Sequence, residues 1–250
     1  MARLTFLGTS NAISGENADN AHMVLEIGER VILIDSPSNP LLKLASLGID
    51  YENVSDLIVT HFHPDHVSGI PLFLMDMWLR GRKARLDIYG LAHALDRLEN
   101  LMDAFAWDNW PDFFPVTFNR LPSKELYAAI QADTFKVYTS EVQHMIPTIG
   151  MRIEFSSGKV LAYSCDTRPC AEVVRLSQNA DVLIHEASGA FFGHSSSTQA
   201  AEIALKSRVK ELCLIHYPTG EFYNDSTVDE AKEKFGDQVF LAKDMMSLDF

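Results

Sequence analysis

Thiols are scarce in this chain. Its 250 residues include three cysteines, Cys165, Cys170 and Cys213, an odd number with no Cys-x-x-Cys pair. That argues against a disulfide framework and against a cysteine-based zinc site, and it suits a reducing compartment. Long apolar runs are missing as well. No stretch of about 18 apolar residues offers a membrane span, and Met1 to Ser10, with one Arg and a handful of apolar residues, reads as neither a signal peptide nor an anchor. We therefore expect a cytoplasmic protein with no membrane partner. Basic charge is the third shortage: 21 Lys and Arg face 34 Asp and Glu, a formal charge of −13. Binding to a phosphate backbone depends on Lys and Arg displacing counterions, so global attraction to nucleic acid is not expected. The one dense basic patch is Arg80, Arg82, Lys83 and Arg85, which equally suits favourable charge at the end of a helix.

What is present is ordinary globular composition, 47% hydrophobic and 22% charged, with no low-complexity segment or linker. Leu4 to Leu7, His22 to Ile27 and Val31 to Ile34 are short apolar or β-branched runs between turns, an opening antiparallel set. Helical spacing from Asn39 to Leu47 is followed by a strand over Asp56 to Thr60, and from there strand and helix alternate. Helices are predicted over Ile70–Leu79, Leu91–Phe105, Pro169–Leu176, Thr198–Ser207 and Val228–Phe235. Strands are predicted over Leu86–Tyr89, Phe135–Val142, Met151–Phe155, Val160–Ser164, Val182–His185, Leu212–His216 and Val239–Leu241, with a hairpin turn at Ser156 to Gly158. Strand-rich halves with interspersed helices suggest two sheets packed face to face with helices outside. Asp103 to Pro122, which carries Trp107, Trp110, Phe113 and Phe114, interrupts the alternation. It can serve as a lid, a homodimer contact, an apolar substrate wall or an irregular loop folded on the core.

The chemistry concentrates at strand ends. The strand ending at Thr60 runs into His61-Phe62-His63-Pro64-Asp65-His66, four potential metal ligands within six residues. In extended backbone His61 and His63 project to one side, while Pro64 turns the chain so that Asp65 and His66 approach from another, a geometry that serves two ions better than one. Later strands end on His144, Asp166, His185-Glu186 and His216. If those ends lie side by side, residues 61 to 216 build one site, and the whole chain, 1–250, is one domain. His194 precedes Ser195 to Thr198, a run that can cap a helix and present free N–H groups to a phosphate oxygen.

These motifs, together with Leu4-Thr5-Phe6-Leu7-Gly8-Thr9-Ser10, Tyr163-Ser164-Cys165-Asp166-Thr167, His185-Glu186-Ala187 and His194-Ser195-Ser196-Ser197-Thr198, resemble the metallo-β-lactamase superfamily and its ribonuclease Z-like branch over nearly the whole chain. The resemblance implies an α/β fold of four layers, αββα, with two mixed sheets. It further implies that His61, His63 and His144 hold one divalent ion, that Asp65, His66 and His216 hold a second, and that Asp166 bridges them. His194 would protonate the leaving oxygen, Glu186 would orient His194, and Asp35 would support a ligand histidine from behind. Two departures stand out. Asp35-Ser36-Pro37 replaces the usual Asp-x-Gly, and 21 residues between His144 and Asp166 leave no room for the arm with which many ribonuclease Z enzymes grip tRNA.

Three protein ligands per ion plus a shared carboxylate leave room for a bridging water, whose pKa two ions about 3.5 to 4 Å apart can lower towards about 7. Imidazole and carboxylate without thiolate fit zinc, with manganese and iron overlapping in preference. The expected function is a dinuclear metal-dependent hydrolase, a phosphodiesterase for a small or short substrate, in which Asp65 and His194 take part in catalysis. The alternatives are a tRNA 3′-processing endonuclease, a lactone or ester hydrolase, and a non-hydrolytic redox or binding module on the same fold.

Overall fold

Strands buried on both faces send successive apolar side chains alternately into an inner and an outer core. The computed structural model describes residues 2–250. β1 (Ala2–Gly8), β2 (His22–Ile27) and β3 (Arg30–Ile34) pair antiparallel, and β4 (Val54–Ile58), β5 (Leu86–Leu91) and β6 (Val116–Leu121) continue the sheet in parallel, with β14 (Ser247–Asp249) on the outer side of β1. The second sheet runs β13 (Val239–Leu241), β12 (Glu211–Ile215), β11 (Val182–Glu186), β10 (Val160–Tyr163), β9 (Thr148–Phe155), β8 (Phe135–Val142), β7 (Tyr127–Gln131). Its β10 to β13 portion is parallel and its β7 to β10 portion antiparallel, so both sheets are mixed.

Leu4, Phe6, Met23, Leu25 and Ile32 from the first sheet meet Val137, Met151, Ile153, Ile184 and Ile215 from the second in one buried core. The opposite faces are covered by helices: α1 (Leu41–Ser46), α3 (Ile70–Leu79) and α4 (Ala92–Ala104) on the first sheet, and α5 (Ala171–Leu176), α6 (Ser197–Ser207) and α7 (Thr227–Phe235) on the second. This is the expected αββα sandwich. Alternation within single strands drives it: in β11 Val182 and Ile184 enter the inner core while Leu183 faces the helices. No helix among the described residues is long and apolar enough to cross a membrane.

The aromatic segment resolves into two parts. Trp110 stacks on Trp78 with ring centres 4.9 Å apart, Phe113 packs on Trp107 and Phe114, and the cluster covers the outer core of the first sheet. Its last residues form β6, a strand that the predicted elements omit, as they omit β7 and β14.

The outer face of β11 also buries His185. Its Nδ1 donates to the Glu186 carbonyl at 2.8 Å, its Nε2 has no partner, and burial pushes its pKa down to about 4. The unfolded chain therefore takes up a proton between pH 6.5 and about 4 that the folded chain refuses, so stability falls as pH drops through that window and levels off below it. The full effect is about 3 kcal/mol, from roughly 1.4 kcal/mol per pKa unit. His185→Leu should flatten the acid limb by up to one proton; urea unfolding at pH 6.5, 5.5 and 4.5 checks it, and parallel slopes in both proteins would contradict it.

Candidate metal centre

Six chain segments meet at one edge of the sandwich, around residues 35, 60–66, 144, 166, 186–194 and 216, several of them through a specific backbone device. β4 ends at Ile58, two residues before Thr60, and so delivers Thr60 and His61 to the edge. His63 is the N-cap of a one-turn helix, α2 (Pro64–Val67), with Pro64 at its first position, so Asp65 and His66 turn back towards His61. α2 stays close to the Asp35 loop because Gly69 admits the Ser38 carbonyl; a Cβ there would lie 2.2 Å from that oxygen. Ser36 N donates to His66 O at 2.8 Å and Gly69 N to Ser36 O at 2.9 Å. The Ser36-Pro37 departure noted in the sequence therefore leaves a loop that docks on α2. Asp35, Cys165 and His216 all have left-handed backbones, φ +59°, +53° and +51°, which swing the chain at the ends of three strands.

Seven predicted ligands converge. His61 Nε2 and His144 Nε2 each lie 3.1 Å from His63 Nδ1. His216 Nε2 lies 3.4 Å and His66 Nε2 3.7 Å from Asp65 Oδ2. Asp166 Oδ2 stands between the two groups, 3.5 Å from His66 and His216 Nε2, 3.8 Å from His61 Nε2 and 3.9 Å from His144 Nε2. The donor atoms thus fall into two sets, His61, His63 and His144 in one and Asp65, His66, Asp166 and His216 in the other.

The donor chemistry fits divalent cations. Asp166 Oδ1 and His66 Nε2 are buried and have no hydrogen-bond partner, and leaving such groups unpaired is costly unless a cation completes them. Two donors each about 2.0–2.1 Å from a tetrahedral ion lie roughly 3.3 Å apart, close to the spacing within the three-histidine set. Burial would raise the Asp166 pKa, but the surrounding His216 and His66 charges hold it well below the usual carboxylate range.

The far sides of the imidazoles are pinned. Asp35 is a hub: Oδ1 accepts from Thr60 N at 2.8 Å, and Oδ2 accepts from His66 Nδ1 at 2.8 Å and from Thr60 Oγ1 at 2.6 Å. The Thr60 oxygen then accepts from His61 Nδ1 at 3.1 Å, so one carboxylate orients a histidine of each set. His144 Nδ1 donates to Gly193 O at 2.7 Å, and His216 Nδ1 to Ser188 Oγ at 2.7 Å. Asp35 is legible in the sequence. Thr60 and Ser188 are not, although each stands beside a motif, before His61 and after His185-Glu186-Ala187. Cys165 Sγ lies 3.7 Å from His61 Nδ1, the nitrogen facing away from the cluster, and is buried in the inner core, so it packs behind the site.

The Glu186 and His194 side chains meet beside the cluster. The buried Glu186 carboxylate accepts from His194 Nδ1 at 3.0 Å, Ser195 N at 3.1 Å, Thr167 N at 3.1 Å and Ser188 N at 2.9 Å. Burial alone would lower His194, but the Glu186 hydrogen bond and charge raise it above its ordinary value. Its ring stacks at 9° to His216 with centres 5.8 Å apart, beside the cluster. Ser196 caps α6 in a capping box with Gln199, as the Ser run suggested.

Of the basic patch only Arg82 is buried, while Arg80, Lys83 and Arg85 remain exposed. Arg82 is 1% exposed, and its guanidinium is spent on the carbonyls of Ala84, Val54, Arg85 and Tyr51. Arg80 bonds Asp76 and Arg85 bonds Asp87, both at 2.7 Å. Around the cluster itself, the loops 9–21, 35–40, 59–69, 143–147, 164–170, 187–196 and 216–226 carry a single basic residue, Arg168.

Removing the Asp35 hub tests this layout. Asp35→Asn should weaken metal binding by about 10–100-fold, and Thr60→Val should act chiefly on the three-histidine set. Competition with a chelator measures both, and unchanged affinity in Asp35→Asn would contradict the arrangement.

Known proteins resemble this chain in sequence and in fold. A ribonuclease Z from Methanothermobacter thermautotrophicus is 26% identical over 269 residues, covering 85% of both chains. The metallo-β-lactamase fold protein YhfI from Bacillus subtilis superposes with a TM-score of 0.82 at 21% identity, over 99% of this chain and 98% of that one. A diphosphatase of the PhnP family gives 0.77 at 18% identity, over 100% and 98%. The model of the family described as "Anti-Pycsar protein Apyc1" matches residues 2–242. The chain belongs to that family and is a ribonuclease Z-like, metal-dependent hydrolase of the metallo-β-lactamase fold.

Proposed function

We propose that the protein is a phosphodiesterase for small or short substrates, built as one domain around two divalent ions, with zinc the metal its donors suit best. The observation that carries this reading is the His194–Glu186 pair standing 3.0 Å apart beside a cluster of orphaned donors, inside a rim with one basic residue. In this reading His61, His63 and His144 hold one ion, Asp65, His66 and His216 the other, and Asp166 is shared. Divalent ions there supply Lewis acidity towards phosphoryl oxygens and a nucleophilic water near neutral pH.

The chain's own residues do the rest. Asp65, partly exposed, would accept a hydrogen bond from the nucleophile and orient it, the nucleophile attacking as hydroxide after the water's other proton has passed to solvent. Glu186 stabilises the charged ring beforehand; as the new P–O bond forms and the bond to the leaving oxygen breaks, His194 gives its Nε2 proton to that oxygen and becomes neutral, its Nδ1 proton staying on the ring and hydrogen-bonded to Glu186. The hydrogen bond to Glu186 and its charge raise the His194 pKa above its ordinary value, which favours the protonated form that an acid must start from.

Elemental analysis should find two ions per chain after loading, and Asp166→Ala should disturb both; less than one equivalent in the parent protein would count against the centre. His194→Ala should keep its metal yet lose about 10²–10⁴-fold in turnover of phosphodiesters with poor leaving groups, and less with an activated aryl group. Equal losses for both substrate types would remove the acid assignment.

The second reading, tRNA 3′-processing, has the ribonuclease Z relatives in its favour. The burial of Arg82, which thins the one basic patch, and the sparse rim charge weigh against it. Precursor tRNA should bind weakly and lose that binding near physiological salt. Position-specific cleavage at physiological salt would promote this reading over the first.

A further inference from the structure

The loop between β11 and α6 holds two consecutive exposed phenylalanines, the first of them against His194 beside the cluster. Phe191 is 55% exposed and Phe192 80%. Single exposed apolar residues are ordinary, but an adjacent aromatic pair beside a site is the kind of patch that marks a binding surface. The loop is also firmly held. Gly189 N donates to Ser195 O at 3.0 Å, Phe191 N to Gly189 O at 2.9 Å and His194 N to Phe191 O at 3.0 Å. Gly193 O receives the 2.7 Å hydrogen bond from His144. Gly193 sits at φ +81°, and a Cβ there would lie 3.0 Å from His144 Nδ1, so glycine lets the loop lie this close to a candidate ligand.

The Phe191 ring packs against the ring of His194, centres 4.7 Å apart and tilted by 42°. A leaving oxygen within hydrogen-bond reach of His194 therefore brings the next few atoms of its substituent alongside Phe191. With Arg168 the only basic residue of the surrounding loops, charge recognition of a second phosphate has little to draw on there. A π-face binds flat rings by stacking, without reading their edges.

We propose that Phe191 and Phe192 form a stacking platform for a flat aromatic ring, nucleobase or aryl, carried by the leaving group of the substrate. The proposal rests on the phosphodiesterase reading, yet ring recognition can be measured by binding alone. Calorimetry on the metal-loaded protein should find adenosine 5′-monophosphate about tenfold or more tighter than ribose 5-phosphate. Phenyl phosphate separates the two sources of the ring: a gain for adenosine monophosphate alone assigns a nucleobase, and a gain for both assigns any flat ring. The double variant Phe191→Leu, Phe192→Leu should abolish the gain, and Phe191→Trp, Phe192→Trp should keep it. Metal content and ribose 5-phosphate affinity report that each variant is folded. Equal affinity for all three ligands in the parent, or a gain that survives in the leucine variant, would overturn the platform. So would a leucine variant that changes only the sedimentation mass, which would make the pair a contact between copies of this chain. Turnover of bis(4-nitrophenyl) phosphate is recorded separately: its absence sinks the phosphodiesterase reading and leaves the binding result to judge the platform.

Discussion

The Asp166 carboxylate is buried, its Oδ1 has no partner, and four imidazole nitrogens surround its Oδ2 at 3.5–3.9 Å. Donors aimed at donors in a dry interior are expensive, and cations are the economical resolution. The chain holds this arrangement against its own preferences. Left-handed backbone at Asp35, Cys165 and His216 costs of the order of 1–3 kcal/mol per residue, and strain of that kind gathers where surrounding structure enforces a function. Enforcement comes from the sandwich: the strand before each of these residues is buried on both faces, so its end cannot drift.

Orientation follows from the layer behind the donors. Asp35 serves His66 directly and His61 through Thr60, Gly193 serves His144, and Ser188 serves His216. Each partner fixes one ring nitrogen as a donor and so leaves the other free to face the cluster. Glu186 plays the corresponding part for His194 while tying together the loops after β10 and β11 and the start of α6. One buried carboxylate on each sheet, Asp35 on the first and Glu186 on the second, therefore anchors the loops on its own side of the site.

Much of this layout is legible in the amino-acid sequence. The His61 to His66 run stands out because four ligands in six residues have no other common use, and the apolar, β-branched runs of β2, β8 and β11 predict their bounds almost to the residue. β6 is hidden because its sequence, VTFNRL, follows a stretch dominated by tryptophan and proline. β14 is hidden because Ser247, Leu248 and Asp249 have little β-propensity and form a strand only by pairing with β1. Thr60 and Ser188 escape for a different reason. A hydroxyl beside a motif carries no pattern, and its role exists only once the fold brings a third residue to it. Arg82 shows the same limit from the other side: a sequence cannot distinguish a surface arginine from one whose guanidinium is buried among carbonyls.

The picture is of a rigid, acidic sandwich that concentrates its chemistry at one edge and surrounds it with few positive charges. Anomalous diffraction from crystals of the zinc-loaded protein tests it most directly. Two peaks about 3.5 to 4 Å apart, one against His61, His63 and His144 and one against Asp65, His66 and His216, with Asp166 between them, are the expected result. A single peak, or peaks that leave Asp166 without contact to both, would contradict the account.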